Sequence, residues 1–312
     1  MTIISFGSIN MDLVAKTPRF AKPGETLTGR DFYTAAGGKG ANQAVAAAKL
    51  FGKSIMIGRV GNDFFGKELR ENLEANGVDT QAVGIDDSLP TGTALITVDD
   101  QAENTIIIIP GANGAVGERE LKALDRILRT AKVLMLQLEV PLETIISAAE
   151  KAKEYGVKVV LDPAPARELP DELLALCDFI TPNETEAQIL TGVEIKGTQD
   201  AKTAARLLRE RGVNAVIIKM SSKGSYYFDG NNDIIFPAFT VEPVDTVAAG
   251  DAFNGGFSAA YAAEKPIDEV LQWANAAGAL STTKTGAQPS MPTKEELLAF
   301  IANQFNHPNL SN

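Results

Sequence analysis

The sequence has very little of several residues on which enzymes often depend. It contains one cysteine, Cys177, so no disulfide can form within the chain, which is typical of a reducing compartment. Cys177 lies in the apolar stretch 173–180, which predicts a small buried hydrophobe rather than a reactive thiol. The only histidine, His307, lies in the polar tail 303–312. This position argues against a Ser-His-Asp triad and against a histidine-ligated zinc site.

Long apolar runs and a basic leader are also missing. No apolar run approaches the ~18 residues of a membrane-spanning helix, and the N-terminus lacks the features of a signal peptide. Acidic residues outnumber basic ones by 40 to 29, which gives a formal net charge of −11. Such a chain has no long-range attraction for nucleic acid or anionic lipid. We therefore expect a cytoplasmic protein that binds neither nucleic acid nor membrane.

Short β-branched runs alternate with longer helical patterns along most of the chain. This alternation predicts parallel β-α units, with a sheet that is covered by helices on both faces. The predicted strands are 3–7, 54–60, 133–138, 157–162, 179–181 and 215–219. The predicted helices are 40–49, 66–76, 118–131, 143–155 and 201–211.

Two stretches, about 11–35 and 92–110, interrupt this alternation with turns and extended segments. Alternation at 93–98 and the isoleucine run 106–109 indicate antiparallel strands. We predict that the two stretches form one small sheet, set apart from the main body of a single domain spanning 1–312. The isoleucine run also predicts a homodimer formed through these sheets, unless all four side chains pack in the core.

Small residues lead into a predicted helix at 244–256, which reads V-D-T-V-A-A-G-D-A-F-N-G-G. The segment is predicted to follow a strand end and to open a helix that runs to about residue 263. Free N–H groups and the helix dipole at such a terminus favour a bound phosphate. Asp251 would lie in the first turn, where a carboxylate can deprotonate an attacking hydroxyl. Taken alone, a Gly-Asp pair favours the simpler interpretation, in which Asp251 is a helix N-cap and the glycines permit tight packing.

A second glycine-rich segment, G-G-K-G-A-N-Q at 37–43, opens an alanine-rich helix. Lys39 and Asn42 add hydrogen-bond donors to that helix start. The segment is not a P-loop, because no glycine stands at the required distance before Gly38 and because Gly40 replaces the Ser or Thr that would hold magnesium. By itself it is also consistent with a capped helix that has a flexible entry.

Together the two segments resemble the signatures of the PfkB carbohydrate kinase family, in its ribokinase branch. Residues 37–43 resemble the first signature, and 245–255 resemble the second, D-T-x-x-G-D-x-F-x-G. Weaker matches occur in the family's order at 7–12, 104–113, 162–166, 183–186 and 286–290. The resemblance therefore covers nearly the whole chain. The resemblance implies an α/β protein with the ribokinase-like three-layer α/β/α fold, a mainly parallel central sheet and a small β-sheet lid.

The resemblance also implies a reaction, the transfer of the ATP γ-phosphate to O5 of D-ribose. Asp251 is the implied base, and the backbone N–H groups of Ala248, Ala249 and Gly250 are the implied anion hole. The implied sugar-binding residues are Asn10, Asp12, Gly38, Lys39, Asn42, Glu139 and Asp251. The implied nucleotide-binding residues are Asn183, Lys219, Ser221, Gly224, Gly250 and Asn275.

Two metal ions are implied as well. Glu186 would hold Mg²⁺ through water. A monovalent cation, K⁺, would be held by Asp245, by the backbone carbonyls of Val247, Ser281, Lys284 and Gly286, and by Ser290. Asp245 would otherwise be a cap or turn residue, or would pair with Lys284.

The chain departs from the family pattern in two places. The usual nucleotide loop T-L-G-x-x-G reads K-M-S-S-K-G at 219–224, so that Lys219 replaces a threonine and Ser221 replaces a glycine. Asp162 stands where ribokinases often have asparagine before P-A-P.

Other functions remain open at this stage. The same chemistry on fructose, a ketodeoxy sugar acid or adenosine is one alternative, and a non-catalytic sugar-binding regulator is another. Retention of Asp251 argues against the regulator. A nucleoside hydrolase would need a cluster of aspartates near the N-terminus, where Asp12 stands alone.

Overall fold

The computed structural model describes residues 2–101 and 103–306. Its strands are β1 (Thr2–Phe6), β2 (Asn10–Lys16), β3 (Asp31–Gly37), β4 (Ser54–Gly61), β5 (Val78–Asp79), β6 (Val83–Asp86), β7 (Gly92–Val98), β8 (Asn104–Ile109), β9 (Ala131–Leu136), β10 (Lys158–Leu161), β11 (Phe179–Ile180), β12 (Ala215–Lys219), β13 (Ser225–Phe228) and β14 (Asp233–Phe236). Its helices are α1 (Lys39–Phe51), α2 (Phe64–Ala75), α3 (Glu118–Ile127), α4 (Leu142–Glu154), α5 (Asp171–Leu176), α6 (Glu184–Thr191), α7 (Thr198–Glu210), α8 (Ala249–Ala262), α9 (Ile267–Ser281) and α10 (Lys294–Asn306). Within these residues no helix is long and apolar enough to cross a membrane. His307 lies outside the described residues.

A large, mainly parallel sheet forms the centre of the molecule. Its strands lie in the order β14-β13-β12-β11-β10-β9-β1-β4-β5, and β6 pairs with β4. All of these pairs are parallel except β12-β13 and β13-β14. Alternate residues of each central strand pack on opposite faces, as Ile4 and Ile3 do in β1. Burial on both faces explains why these strands are continuous apolar runs in the sequence.

Helices cover both faces of this sheet. Helices α3 to α7 contribute the core on one face, and α1, α2, α8, α9 and α10 contribute the core on the other. The predicted three-layer α/β/α fold with a mainly parallel sheet is therefore confirmed. Cys177 is fully buried in the first of these cores, as expected for a small hydrophobe.

The predicted small sheet is also present. It has four strands in the order β3-β2-β7-β8, with β2-β7 parallel and the outer pairs antiparallel. We call this sheet the lid sheet. Every residue of β8 is exposed, including all four isoleucines at 106–109, so they do not pack in the core of the chain.

Two sequence predictions fail in detail, and one element was missed. The helix predicted over 118–131 ends at Ile127, and Ala131 already begins β9, because a short 3₁₀ turn connects them. No strand end lies directly before the signature at 244–256; β14 ends at Phe236 and an irregular segment follows. The β13-β14 hairpin was not predicted from the sequence. Its tight turn has the sequence D-G-N-N, which is a recognisable turn signal.

Candidate active site

The start of α8 lies at the carboxyl end of the central sheet and forms the middle of the site. Ala248 is the residue before the helix and has left-handed dihedrals, with φ 60 and ψ 16. A non-glycine residue in this region is strained, and such strain is concentrated at functional sites. Asp251 is the third helical residue and not the N-cap. The first-turn amide of Gly250 has no acceptor one turn earlier, so it is available to an anion.

Asp251 is buried beneath this helix start and has two amide donors. Asn42 Nδ2 lies 2.9 Å from Oδ2 of Asp251, and Gln43 Nε2 lies 3.0 Å from Oδ1. Burial raises the pKa of Asp251 to about 6, with the charge of Asp162 adding to the rise and Lys39 opposing it. A carboxylate with a pKa close to neutrality is suited to accept a proton from a sugar hydroxyl.

Close packing of α8 on α1 creates this contact between distant segments. A Cβ placed on Gly255 would lie 2.3 Å from Cβ of Ala46, so only glycine lets the two helices approach this closely. The resulting approach brings Asn42 and Gln43 to Asp251. The last glycine of the second signature, Gly255, is therefore explained by helix packing.

Gln43 connects Asp251 to a second buried carboxylate. Gln43 was not assigned to the site in the sequence analysis. Its Nε2 also lies 2.9 Å from Oδ2 of Asp162, and its Oε1 accepts from Nε2 of Gln137 at 2.7 Å. The other carboxylate oxygen of Asp162 binds Lys219, with Nζ 3.0 Å from Oδ1. The only sequence signal for Gln43 was its place within the first glycine-rich segment.

A group of acidic residues with one central lysine forms the predicted sugar side. Burial raises the pKa of Asp12 to about 7, with further contributions from the negative charges of Glu139 and Asp251. The pKa of Lys39 is raised although burial alone would lower it, because Asp251 and other carboxylates surround the ammonium group. The arrangement offers several acceptors and one strong donor to a polyol.

Backbone geometry places these groups. Gly38 has φ 88, and a Cβ there would lie 2.7 Å from the backbone N of Asn10, so the turn into α1 requires glycine. Glu139 accepts from Ser8 Oγ at 2.5 Å and from the backbone N of Lys39 at 3.2 Å. Glu139 is thus held against the start of α1 and is not a free loop carboxylate.

Asn10 is held by an asparagine that sequence reasoning did not assign to the site. Asn113 Nδ2 lies 2.7 Å from Oδ1 of Asn10, and Asn113 also exchanges two hydrogen bonds with the backbone of Ile9. Asn113 is buried, and its hydrogen bonds fix the backbone at the start of β2. The signal available in the sequence was the weak family match at 104–113.

Beside Asp251 lies an open cavity of about 780 Å³, which is large enough for a nucleotide. It is lined by all six residues that were assigned to nucleotide binding: Asn183, Lys219, Ser221, Gly224, Gly250 and Asn275. Lys39 and Asp251 line it as well, so the sugar side and this cavity meet at the start of α8. Sequence reasoning missed the segment 238–243, which forms part of the wall.

The departures from the family's nucleotide loop have visible consequences. Ser221, which replaces a glycine, has φ 48, so the left-handed turn that favours glycine is kept. Its Oγ lies 3.0 Å from Oε2 of Glu184. Asn183 and Glu186 form a capping box at the start of α6, and burial raises the pKa of Glu186. Glu186 lies in the cavity wall and is not the surface residue that the sequence alone suggests.

The residues assigned to a monovalent cation lie on two neighbouring segments: the loop at 245–247, and residues 281–290, which run from the last residue of α9 to a short 3₁₀ turn. Asp245 Oδ1 accepts from the backbone N of Val247 at 3.0 Å, and Oδ2 accepts from that of Gly286 at 2.9 Å. Lys284 binds Glu296 at 2.7 Å, so the alternative pairing of Lys284 with Asp245 is not found. Each Asp245 oxygen keeps a further lone pair, and a carboxylate oxygen is a suitable ligand for a hard cation.

Ser281 and Ser290 are buried in the second of these segments, and each hydroxyl donates to a backbone carbonyl. Ser281 Oγ lies 2.8 Å from the carbonyl O of Gly278, and Ser290 Oγ lies 2.7 Å from that of Ala287. The Ser290 hydroxyl therefore keeps its own lone pairs for a cation, whereas Ser281 is predicted to bind the cation through its backbone carbonyl.

Several known proteins are similar to this chain over nearly its whole length. Ribokinase of Haemophilus influenzae is 45% identical over 300 residues, which cover 96% of this chain and 98% of that protein. Deoxyribokinase of Salmonella typhi is 39% identical over 303 residues, which cover 97% of this chain and 99% of that protein. The solved structure of Arabidopsis thaliana ribokinase complexed with ribose and ATP is 35% identical, with a TM-score of 0.90 over 96% of this chain and 98% of that chain.

Residues 2–294, which are nearly all of the chain, match the family described as pfkB family carbohydrate kinase. The matched range includes both glycine-rich segments. The resemblance inferred from the sequence is therefore confirmed. The chain belongs to the pfkB family of carbohydrate kinases.

Proposed function

We propose that this protein transfers the γ-phosphate of ATP to O5 of D-ribose. The observation that carries the proposal is the position of Asp251, a buried carboxylate between a nucleotide-sized cavity and a group of polyol-binding side chains. Two of the similar proteins described above are named ribokinase, and one of them was solved with ribose and ATP. We also infer that the chain is one catalytic unit, in which the lid sheet closes over the sugar and excludes water.

In the proposed mechanism Asp251 accepts the proton of the sugar hydroxyl while that oxygen attacks the γ-phosphorus. The bond between the γ-phosphorus and the bridging oxygen breaks, and ADP leaves with the electron pair. The N–H groups at the start of α8 stabilise the charge on the moving phosphoryl group. The Ala249 N–H already has a long contact of 3.3 Å with the carbonyl of Thr246, so Gly250 is the better-placed donor.

Mg²⁺ is part of this proposal. The carboxylate of Glu186 lies in the cavity wall, and its partner Asn183 fixes its orientation through two hydrogen bonds. Carboxylate and amide oxygens are suited to hold the waters of Mg²⁺ beside phosphates. When bound, the ion would neutralise charge on the nucleotide.

A second candidate substrate is 2-deoxy-D-ribose, because a deoxyribokinase is 39% identical over nearly the whole chain. The deciding experiment is an ATP-consumption assay with ribose, 2-deoxyribose, fructose, a ketodeoxy sugar acid and adenosine. The highest kcat/KM is expected with ribose, because polar groups built to bind a hydroxyl discriminate strongly against a substrate that lacks it. A higher value with any other compound would contradict the proposal. ATP consumption with none of them would support the non-catalytic alternative.

The pKa of Asp251 predicts how turnover depends on pH. The carboxylate is active only when deprotonated, and its pKa is raised to about 6 by burial. Turnover should therefore be constant above neutrality and should fall about tenfold per pH unit well below pH 6. The measurement is kcat at saturating substrates from pH 5 to 8, with circular dichroism to verify folding. A kcat that stays constant down to pH 5 would contradict the assignment.

We also propose activation by K⁺ through Asp245. A cation between the loops at 244–247 and 281–286 would hold the start of α8 in the geometry that binds the phosphoryl group, without touching the substrate. The Asp245 contacts to Val247 and Gly286 show that these loops are already joined through this carboxylate.

At fixed ionic strength, kcat in K⁺ should be roughly tenfold higher than kcat in a bulky organic cation. This effect is smaller than the ~10²–10³-fold decrease in kcat that follows loss of a whole oxyanion donor. Turnover is to be measured in K⁺, in Na⁺ and in the organic cation, for the wild type and for Asp245→Ala. The increase with K⁺ should disappear in the variant. Equal kcat in all three salts for the wild type would rule out the cation.

A homodimer formed through the lid sheets is a further part of the proposal. Ile106 and Ile107 are 53% and 63% exposed on the edge strand β8, and Phe32 is 63% exposed on the opposite edge strand β3. An unpaired, apolar edge of this kind favours association with a second copy. By strand register, Ile106 and Ile108 lie on the face of the lid sheet that carries Asp12.

Light scattering at micromolar concentration should give the mass of a dimer, and the double variant Ile106→Glu with Ile108→Glu should give that of a monomer. Two charges on this face would have to be buried in the dimer, which is costly. The matched control carries the same changes at Ile189 and Ile235, which are exposed isoleucines of the main body. A monomeric wild type, with or without sugar, would contradict the proposal.

A cytoplasmic location completes the proposal. The chain has one cysteine and depends on no disulfide, which suits a reducing compartment. Fractionation of the cells that produce it is the direct measurement.

A further inference from the structure

A buried ion pair, Lys219 with Asp162, lies beside the start of α8. The Lys219 side chain is 14% exposed and that of Asp162 is 3% exposed. These are the two positions at which the chain departs from the family pattern by gaining a charge, and the structure shows that the two charges meet. Lys219 ends β12, and Asp162 follows β10, two strands away in the same sheet.

The carboxylate of Asp162 holds the ammonium group in a fixed position relative to the proposed base. Oδ1 of Asp162 binds Nζ of Lys219, while Oδ2 accepts from Nε2 of Gln43, which also donates to Asp251. A chain of hydrogen bonds thus runs from Lys219 to Asp251. The position of Lys219 is restricted because Asp162, which binds it through Oδ1, is itself fixed by Gln43 through Oδ2.

The Lys219 ammonium also lies against the anion hole. A Cβ built on Gly250 would lie 3.3 Å from Nζ of Lys219. The free N–H of Gly250 is a donor to the moving phosphoryl group, so a cation this close to Gly250 is within reach of the same oxygens. Lys219 and Gly250 both line the cavity, and Lys39 lines it as well.

The need for a counter-ion to Asp162 does not by itself explain why a lysine occupies position 219. Replacement of a buried ion pair by neutral residues of similar size is often neutral or favourable for stability. An asparagine at 162 would keep the contact with Gln43 and would need no cation. Stability alone therefore gives no reason for the pair, which places an ammonium group beside the anion hole.

We propose that Lys219 is a catalytic residue, whose ammonium binds the γ-phosphoryl group of ATP during transfer while Asp162 positions it. This rests on the proposed function. As the bond from the sugar oxygen to phosphorus forms and the bond to the bridging oxygen breaks, negative charge is spread over the phosphoryl oxygens, and Lys219 stabilises it through charge-assisted hydrogen bonds. Lys219 keeps its protons, because the hydroxyl proton goes to Asp251.

The test compares Asp162→Asn with the double variant Asp162→Asn/Lys219→Met. Both lack the charge of Asp162, so they differ only in Lys219, and neither contains an unpaired buried carboxylate at 162. The double variant is expected to have a kcat on the order of 10²-fold lower than the single variant, as for loss of one donor to a developing charge. The KM for sugar should agree within about threefold, because Lys219 faces the nucleotide side.

A kcat that is equal within about threefold in the wild type, Asp162→Asn and the double variant would overturn the role of Lys219, because the lysine would then serve only as the counter-ion of Asp162. The positioning role of Asp162 predicts in addition that Asp162→Asn has a kcat at least threefold below that of the wild type. If the methionine variant does not fold by circular dichroism, Lys219→Gln in the same background replaces it, with a decrease of at least tenfold expected. The wild type is assayed alongside. Absence of sugar-dependent ATP consumption by the wild type would overturn the proposed function itself, so the two failures are distinguishable.

Discussion

Replacing Asp251 by asparagine should abolish nearly all turnover while ribose and nucleotide still bind. The asparagine has the same shape and can remain beside Asn42 after an amide reorientation, but it cannot accept the hydroxyl proton. Loss of a general base typically lowers the rate by ~10²–10⁴-fold. The kcat is to be measured by ATP consumption, and the affinities for ribose and ATP by calorimetry.

The matched control for this variant is Asp268→Asn, which changes an exposed aspartate in the first turn of α9. It should leave kcat within about twofold, as is usual for surface changes away from special features. If the kcat of Asp251→Asn stays within about tenfold of the wild-type value, Asp251 is not the base. A variant that loses both kcat and binding would instead indicate a collapsed site.

Replacing Asp12 by alanine should lower kcat/KM for ribose by roughly 10²-fold or more, because each hydrogen bond to a charged group contributes about 1.5–3 kcal/mol. Asp12 lies on β2 of the lid sheet, and its carboxylate packs over Gly37, where a Cβ would lie 2.3 Å from Oδ2. Burial is the largest cause of the raised pKa of Asp12, and the negative charges of Glu139 and Asp251 raise that pKa further. This position on the sugar side should leave the KM for ATP unchanged within about threefold.

The control for Asp12 is Asp31→Ala, which changes an exposed aspartate at the start of β3 in the same lid sheet. It tests whether any loss of charge in the lid lowers activity. An Asp12→Ala variant that keeps its kcat/KM for ribose within fivefold would show that the lid carboxylate does not bind the sugar.

The sequence by itself predicted the architecture because its signals are local. Parallel strands buried on both faces must be apolar throughout, and the helices between them have their own periodicity. The start of α8 was also readable, since small residues before a helix with an aspartate in its first turn form a local pattern. The six residues assigned to nucleotide binding came from family motifs, and all six line one cavity.

Only the tertiary structure decided how the site is connected. Gln43 reaches Asp251 across 208 positions of the chain, and Lys219 reaches Asp162 across 57. No local pattern encodes such a contact, because it depends on the packing of α8 against α1 and on the order of strands in the sheet. In the sequence Lys219 and Asp162 were two separate departures from a motif. In the folded chain they are one ion pair, because parallel strands bring residues at their carboxyl ends to the same edge of the sheet, however far apart they are in sequence.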